Sequence, residues 1–153
     1  MSMMDAVSVA ASVSRLLIVC GKIVTFIKAM RDAPDLASNI LSETESLVAI
    51  FQQLRTFLFP SDNQLRNESL DNAKTALEGC VCAFTRLEKE LESIKIEKDH
   101  TLTLWDRGRW VEKEKEVRKI LEDLERHKSS LNLTLQIYTW FAACALHGPY
   151  AQC

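Results

Sequence analysis

Residues 67–97, NESLDNAKTALEGCVCAFTRLEKELESIKIE, decide the fold. Leu70, Leu77, Phe84 and Leu91 recur every seven residues, and Ala73, Cys80, Leu87 and Ile94 follow each of them by three. An apolar stripe sustained at this spacing predicts a long helix that buries one seam against other helices. Upstream, Phe59-Pro60-Ser61-Asp62-Asn63 is a cluster of turn formers. It closes a preceding helix, about 34–59, that carries Leu36, Ile40, Leu47, Val48, Phe51, Leu54 and Leu58 at helical spacing. Asp32-Ala33-Pro34 opens that helix with a carboxylate cap and a proline in the first turn. Downstream, Trp110, Val117, Leu124, Leu131 and Tyr138 keep the seven-residue period, assisted by Ile120, Leu121, Leu135 and Phe141, until His147-Gly148-Pro149. This predicts a last helix over about 104–146. Its first half mixes both charge signs, and its second half is apolar on nearly every side. With a first helix over about 5–30, residues 1–153 form one all-α domain, an antiparallel bundle of about four long helices. Helix 1 is expected to cover the apolar half of helix 4, because both carry too much apolar surface for a bundle rim.

The composition agrees. The chain has 153 residues, 47% of them hydrophobic and 26% charged, with four glycines and three prolines, few enough breakers to favour long helices. A formal charge of -2 offers no concentrated basic surface for phosphate, so nucleic acid is not a partner. Cys20, Cys80, Cys82, Cys144 and Cys153 are odd in number and mostly set in apolar pattern, which suits small buried thiols in a reducing, cytoplasmic compartment.

No catalytic, cofactor-binding or metal-ligating set emerges. Cys80-Val81-Cys82 points two thiols about 200° apart on a helix, and no second Cys/His pair follows at zinc spacing. His127 lies on the apolar side of helix 4 with no nucleophile in evidence, and reads as a core or boundary histidine. Gly-rich phosphate loops, nucleophile elbows and HExxH are absent, so the protein is not read as an enzyme. The run Glu112-Lys113-Glu114-Lys115-Glu116 reads as a solvated helix face, and Trp105 and Trp110 as packing residues.

Helix 1, MDAVSVAASVSRLLIVCGKIVTFIKAM from Met4, is the most apolar segment. On a helical wheel Val9, Val13, Leu16, Leu17, Cys20, Val24 and Ile27 form a broad apolar face, and Ala10, Ser14, Gly21 and Thr25 form a strip of small residues suited to close helix packing. Arg15 and Lys22 share the remaining narrow face. Arg15, Lys22 and Lys28 make a simple membrane span costly, and a signal peptide would not carry an arginine within its apolar stretch. The segment fits either a bundle interior or the surface of an anionic membrane.

Four blocks in order, MDAVSVAASVSRLL, RDAPDLASNILSE, GCVCAFTRLEKELES and LERHKSSLNLTLQI, together resemble the N-terminal domain of fungal STAND (NLR-like) proteins of the HeLo-like class. The resemblance starts at Met4 and extends to about Ile137. It implies a helical bundle comparable with the four-helix domain of the mixed lineage kinase domain-like pseudokinase. The implied role is a cell-death effector of fungal innate immunity or heterokaryon incompatibility, which self-associates and drives its N-terminal helix into the plasma membrane. On that resemblance the membrane-interacting residues are Val9, Val13, Arg15, Leu16, Leu17, Lys22, Val24 and Ile27, and the partners are further copies, anionic lipids and a STAND/NLR-type activator. The chain carries no P-loop, so the trigger is expected from elsewhere. A helical adaptor without membrane activity is the alternative.

Overall fold

The computed structural model describes residues 3–30, 34–58, 67–94 and 104–147, which form four helices: α1 (Met3–Lys28), α2 (Asp35–Leu58), α3 (Asn67–Glu92) and α4 (Leu104–His147). The protein is an all-α bundle. Its helix bounds lie close to the sequence expectation except at α3, which stops at Glu92 instead of near 97. Local hydrogen bonds account for the early stop. The Ile94 amide bonds back three residues to the Leu91 carbonyl at 3.0 Å, and the Ser93 hydroxyl donates to the Glu90 carbonyl at 3.0 Å. The Arg109 guanidinium of α4 then donates to the Ser93 carbonyl, so groups a continuing helix would use are already satisfied.

Backbone hydrogen bonds close the end of α1 and open α2. The Ala29 amide still reaches the Thr25 carbonyl, whereas Met30 closes on Ile27 at 3.1 Å. The Pro34 carbonyl accepts from the Ala37 amide at 2.9 Å, which leaves Pro34 just outside α2, and Asp35 places a carboxylate in the first turn, where the helix dipole favours it.

The core is built from the expected stripes. Leu77, Phe84 and Leu91 of α3 are buried, as are Ala73, Cys80, Leu87 and Ile94. Trp110, Val117, Leu124, Leu131 and Tyr138 of α4 join them, with Leu47, Phe51 and Leu54 of α2. Leu70 and Phe141 lie outside the residues whose side chains are described.

The order of helices around the core corrects one expectation. α1 packs on α2 and α3, α4 packs on α3 and α2, and among the described residues α1 and α4 do not meet. They occupy diagonal corners, as do α2 and α3. The α3–α4 pair is antiparallel, since Arg86 reaches Glu116 while Lys113 reaches Glu90. α1 and α3 run in the same direction: Ser8 to Arg15 face Glu78 to Cys82, and Lys22 to Phe26 face Glu88 to Ile94. The helices therefore alternate up and down along the chain, although two of the four neighbouring pairs are parallel. The apolar half of α4 is not sheathed by α1. Leu131, Leu135 and Tyr138 turn inward against α2 and α3, while Leu133 and Trp140 remain 59% and 51% exposed.

Candidate functional site

α1 has two distinct faces. Val9, Val13, Leu16, Cys20, Ile23 and Ile27 are buried, and Met30 closes the row. Their alternating four- and three-residue steps keep them on the side turned to the core. Ile23, not Val24, is the inward residue; Val24 and Leu17 are half-buried at the seams because each sits one residue, about 100°, off the stripe. Four of the apolar residues expected to meet lipid, Val9, Val13, Leu16 and Ile27, are thus core residues in this state.

The outer face carries Ser14, Arg15, Ile18, Gly21, Lys22 and Thr25, all exposed. Ile18 is 62% exposed between the two cations. Among the described residues neither Arg15 nor Lys22 makes an ion pair; the one such contact from α1 is Lys28 with Glu45, 3.3 Å apart and exposed. Arg15 shares a cleft with Glu78 and Cys82 of α3, and Lys22 shares a second one with Glu88 and Glu92.

The strip of small residues does not pack a helix. Ala10 is half-buried, Ser14, Gly21 and Thr25 face solvent, and a Cβ on Gly21 would have no neighbour within 4 Å. The residues lie on the side of α1 turned away from α2 and α3. The close approach occurs elsewhere: a Cβ on Gly79 of α3 would lie 2.8 Å from His127 Nδ1 of α4 and nearer still to other atoms of the ring. Sequence reasoning missed this contact, and its only trace was a glycine inside a strong helical stripe. Burial lowers the His127 pKa, with Asp123 opposing and Arg126 reinforcing the effect.

A second missed feature joins α2 to α4. Lys128 Nζ donates to Glu43 Oε2 at 3.1 Å, lies 3.0 Å from Oε1 without the angle of a hydrogen bond, and is 2.7 Å from Glu125 Oε2. Burial raises the Glu43 pKa despite the ammonium beside it. A lysine held by two carboxylates is a structural cross-link, and Glu43 and Glu125 also border an open cleft between α2 and α4 with Asn39, Ser42, Arg118, Leu121 and Glu122. The α3–α4 seam is cross-linked too, through Arg86 to Glu116 at 2.9 Å and to Asp123 at 3.1 Å, and Lys113 to Glu90 at 2.6 Å.

The thiols divide into classes. Cys20 and Cys80 are buried, which pushes both pKa values up to about 12 and keeps them protonated and unreactive. Cys82 is free but exposed, against the expectation of buried thiols, because it lies two residues, about 200°, round the helix from buried Cys80. Cys144 is disulfide-bonded, in contrast to the expectation of free thiols throughout. Among the described residues no group of three His, Cys, Asp or Glu side chains could hold a metal ion.

No family model, curated protein or solved structure matches this chain.

Proposed function

We propose that the bundle is a membrane-acting effector domain of the programmed cell-death or incompatibility type, in which α1 is delivered to an anionic bilayer and self-association completes the lesion. One observation carries this reading. Ser8–Lys28 is long and apolar enough to cross a membrane, yet among the described residues it is a corner helix without contact to α4 and presents Ile18 between Arg15 and Lys22, neither of which makes an ion pair with them. Two cations flanking an apolar side chain suit first contact with a negatively charged surface, where each contributes about 1 kcal/mol of attraction. Insertion then requires α1 to leave the core, because its apolar stripe is occupied by α2 and α3.

The test is dye release from vesicles of anionic and of zwitterionic composition, with the parent and with Arg15→Glu/Lys22→Glu. Both positions are exposed, so the double variant keeps its helicity and melting temperature while binding to anionic vesicles and leakage fall. A folded double variant that leaks vesicles as the parent does removes the basic face from the mechanism. A parent that never binds anionic vesicles, even when forced to oligomerise, gives the domain to the adaptor reading.

A further inference from the structure

The bundle is two hairpins, α1–α2 and α3–α4, that meet along two seams, α1 on α3 and α2 on α4. Lys28–Glu45 lies inside the first hairpin, and Arg86–Glu116, Arg86–Asp123 and Lys113–Glu90 lie inside the second. Lys128 with Glu43 crosses between the hairpins, and more than one ion pair is built there. The ammonium donates to Glu43 Oε2 at 3.1 Å, whereas Oε1, 3.0 Å from it, receives no hydrogen bond although it is shut off from solvent. The Glu125 carboxyl makes its own contact with the ammonium at 2.7 Å and lies within hydrogen-bonding reach of Glu43. Two carboxyl groups therefore share one ammonium, and a buried oxygen of one of them lacks a donor. A charged oxygen left in that state carries its full desolvation cost.

We infer that Glu43 and Glu125 hold one solvent-derived proton between them, carried on Glu43 Oε1 and donated to Glu125, and that this proton fastens the α2–α4 seam. Both Glu43 oxygens are then satisfied. Oε2 accepts from Lys128, Oε1 donates to Glu125, and Glu125 keeps the one negative charge that balances the ammonium. The proton sits on Glu43 because that side chain is 16% exposed and Glu125 is 58% exposed, so a charge costs less on Glu125. Burial, reinforced by Glu125 and opposed by Lys128, raises the Glu43 pKa, while Lys128 and then Glu43 lower that of Glu125. Other groups nearby are already engaged or neutral. On α4, Arg118 and Glu122 border the same cleft, and Arg118 is held by Glu114 at 2.7 Å. The Cys80 thiol of α3 and the Cys20 thiol of α1 stay protonated, and Lys28 of α1 is taken by Glu45. In a parted seam Glu43 returns to its ordinary value of 4.5, so the closed seam binds the proton more tightly. The fastening is complete below 4.5 and is lost as pH rises through the raised value, the opposite sense to His127.

Carbon-13 NMR of the side-chain carboxyls reads the proton directly. In the folded parent Glu43 titrates with a midpoint above 4.5, and the midpoint falls in Glu125→Gln, whose amide offers Glu43 a donor in place of a charge. Urea unfolding reads the fastening, in a His127→Gln background that takes the ring's opposite pH dependence out of the curve. Glu43→Gln copies the protonated acid, since its amide donates to Glu125 and its carbonyl accepts from Lys128. Its urea midpoint therefore gains on the parent's as pH is raised from about 5 to about 9. A Glu43 midpoint at or below 4.5 overturns the inference. A raised midpoint that does not move in Glu125→Gln overturns the sharing and leaves burial as its cause. A Glu43→Gln variant that loses ground as pH rises, or keeps a constant offset from the parent, makes Glu43–Lys128 an ordinary ion pair and overturns the fastening.

Discussion

Two glycines inside helices offer a controlled measurement of what close packing costs this bundle. At Gly21, a Cβ meets nothing within 4 Å, so Gly21→Ala gains helix propensity alone, about 0.8–1 kcal/mol. For a chain of this length that raises the melting temperature by roughly 2–4 °C. Gly79→Ala gains the same propensity but drives a methyl group into the His127 ring. The imidazole must then rotate off the α3 backbone. Overpacking of this kind costs about 1–3 kcal/mol, so the net change runs from about zero to about 2 kcal/mol of destabilisation. Urea unfolding followed by circular dichroism separates the two, and a third arm isolates the cause. In a His127→Ala background the collision is gone and Gly79→Ala should stabilise as Gly21→Ala does. A Gly79→Ala variant that is as stabilised as Gly21→Ala in the parent background would refute the close-approach reading. Destabilisation that persists without the imidazole would place its cause elsewhere in the α3–α4 seam.

Phe84, 1% exposed in the middle of the α3 stripe, should cost about 3–5 kcal/mol when cut to alanine, seen as a lower urea midpoint. His127 gives a pH signature. Burial lowers its pKa, so above the ordinary value of 6.5 both folded and unfolded chains hold the neutral ring and its contribution is constant. As pH falls through 6.5 the unfolded chain takes the proton first, and stability drops until the folded ring protonates too. His127→Gln should flatten that part of the stability–pH curve, and an unchanged slope would assign it to other groups.

The fold was readable because its core obeys one period. Leu77, Phe84 and Leu91 on α3, and Val117, Leu124 and Leu131 on α4, are buried as their spacing requires. Periodicity says which side of a helix turns inward but not which helix waits there, so the diagonal placement of α1 and α4 had no sequence signal. The α1 wheel failed for a related reason. A residue on the edge of an apolar face is assigned by its neighbour, and α3 on one side and α2 on the other decided that Ile23 went in and Val24 stayed at a seam. Gly21 and Gly79 show the same limit: both sit in helices, and only the facing chain distinguishes an empty approach from an occupied one. The Glu43–Lys128 pair, separated by 85 residues, belongs to this class as well.

α1 cannot bury its stripe in the bundle and in a bilayer at once, and the magnitudes say which term controls release. Val9, Val13, Leu16, Ile23, Ile27 and Met30 are each buried, and at about 1.5–3 kcal/mol per side chain they hold α1 by an amount on the order of 10 kcal/mol. The exposed Lys28–Glu45 pair adds at most about 1 kcal/mol. Lipid attraction to Arg15 and Lys22, about 2 kcal/mol together, is too small to extract the helix, so on the proposed mechanism those charges govern recruitment while packing governs release. The two can be separated experimentally. Leu91 of α3 lines the cleft against Ile23 and Phe26, and Leu91→Ala loosens the seat of α1 without altering α1 itself. The variant should release more dye per bound molecule at temperatures where it remains folded, with vesicle binding unchanged. The charge-reversed protein should do the opposite, binding less while each bound molecule releases as much as the parent. Reduced leakage per bound Leu91→Ala molecule would mean that an intact α1–α3 contact is part of the active state, and the release mechanism would then be wrong.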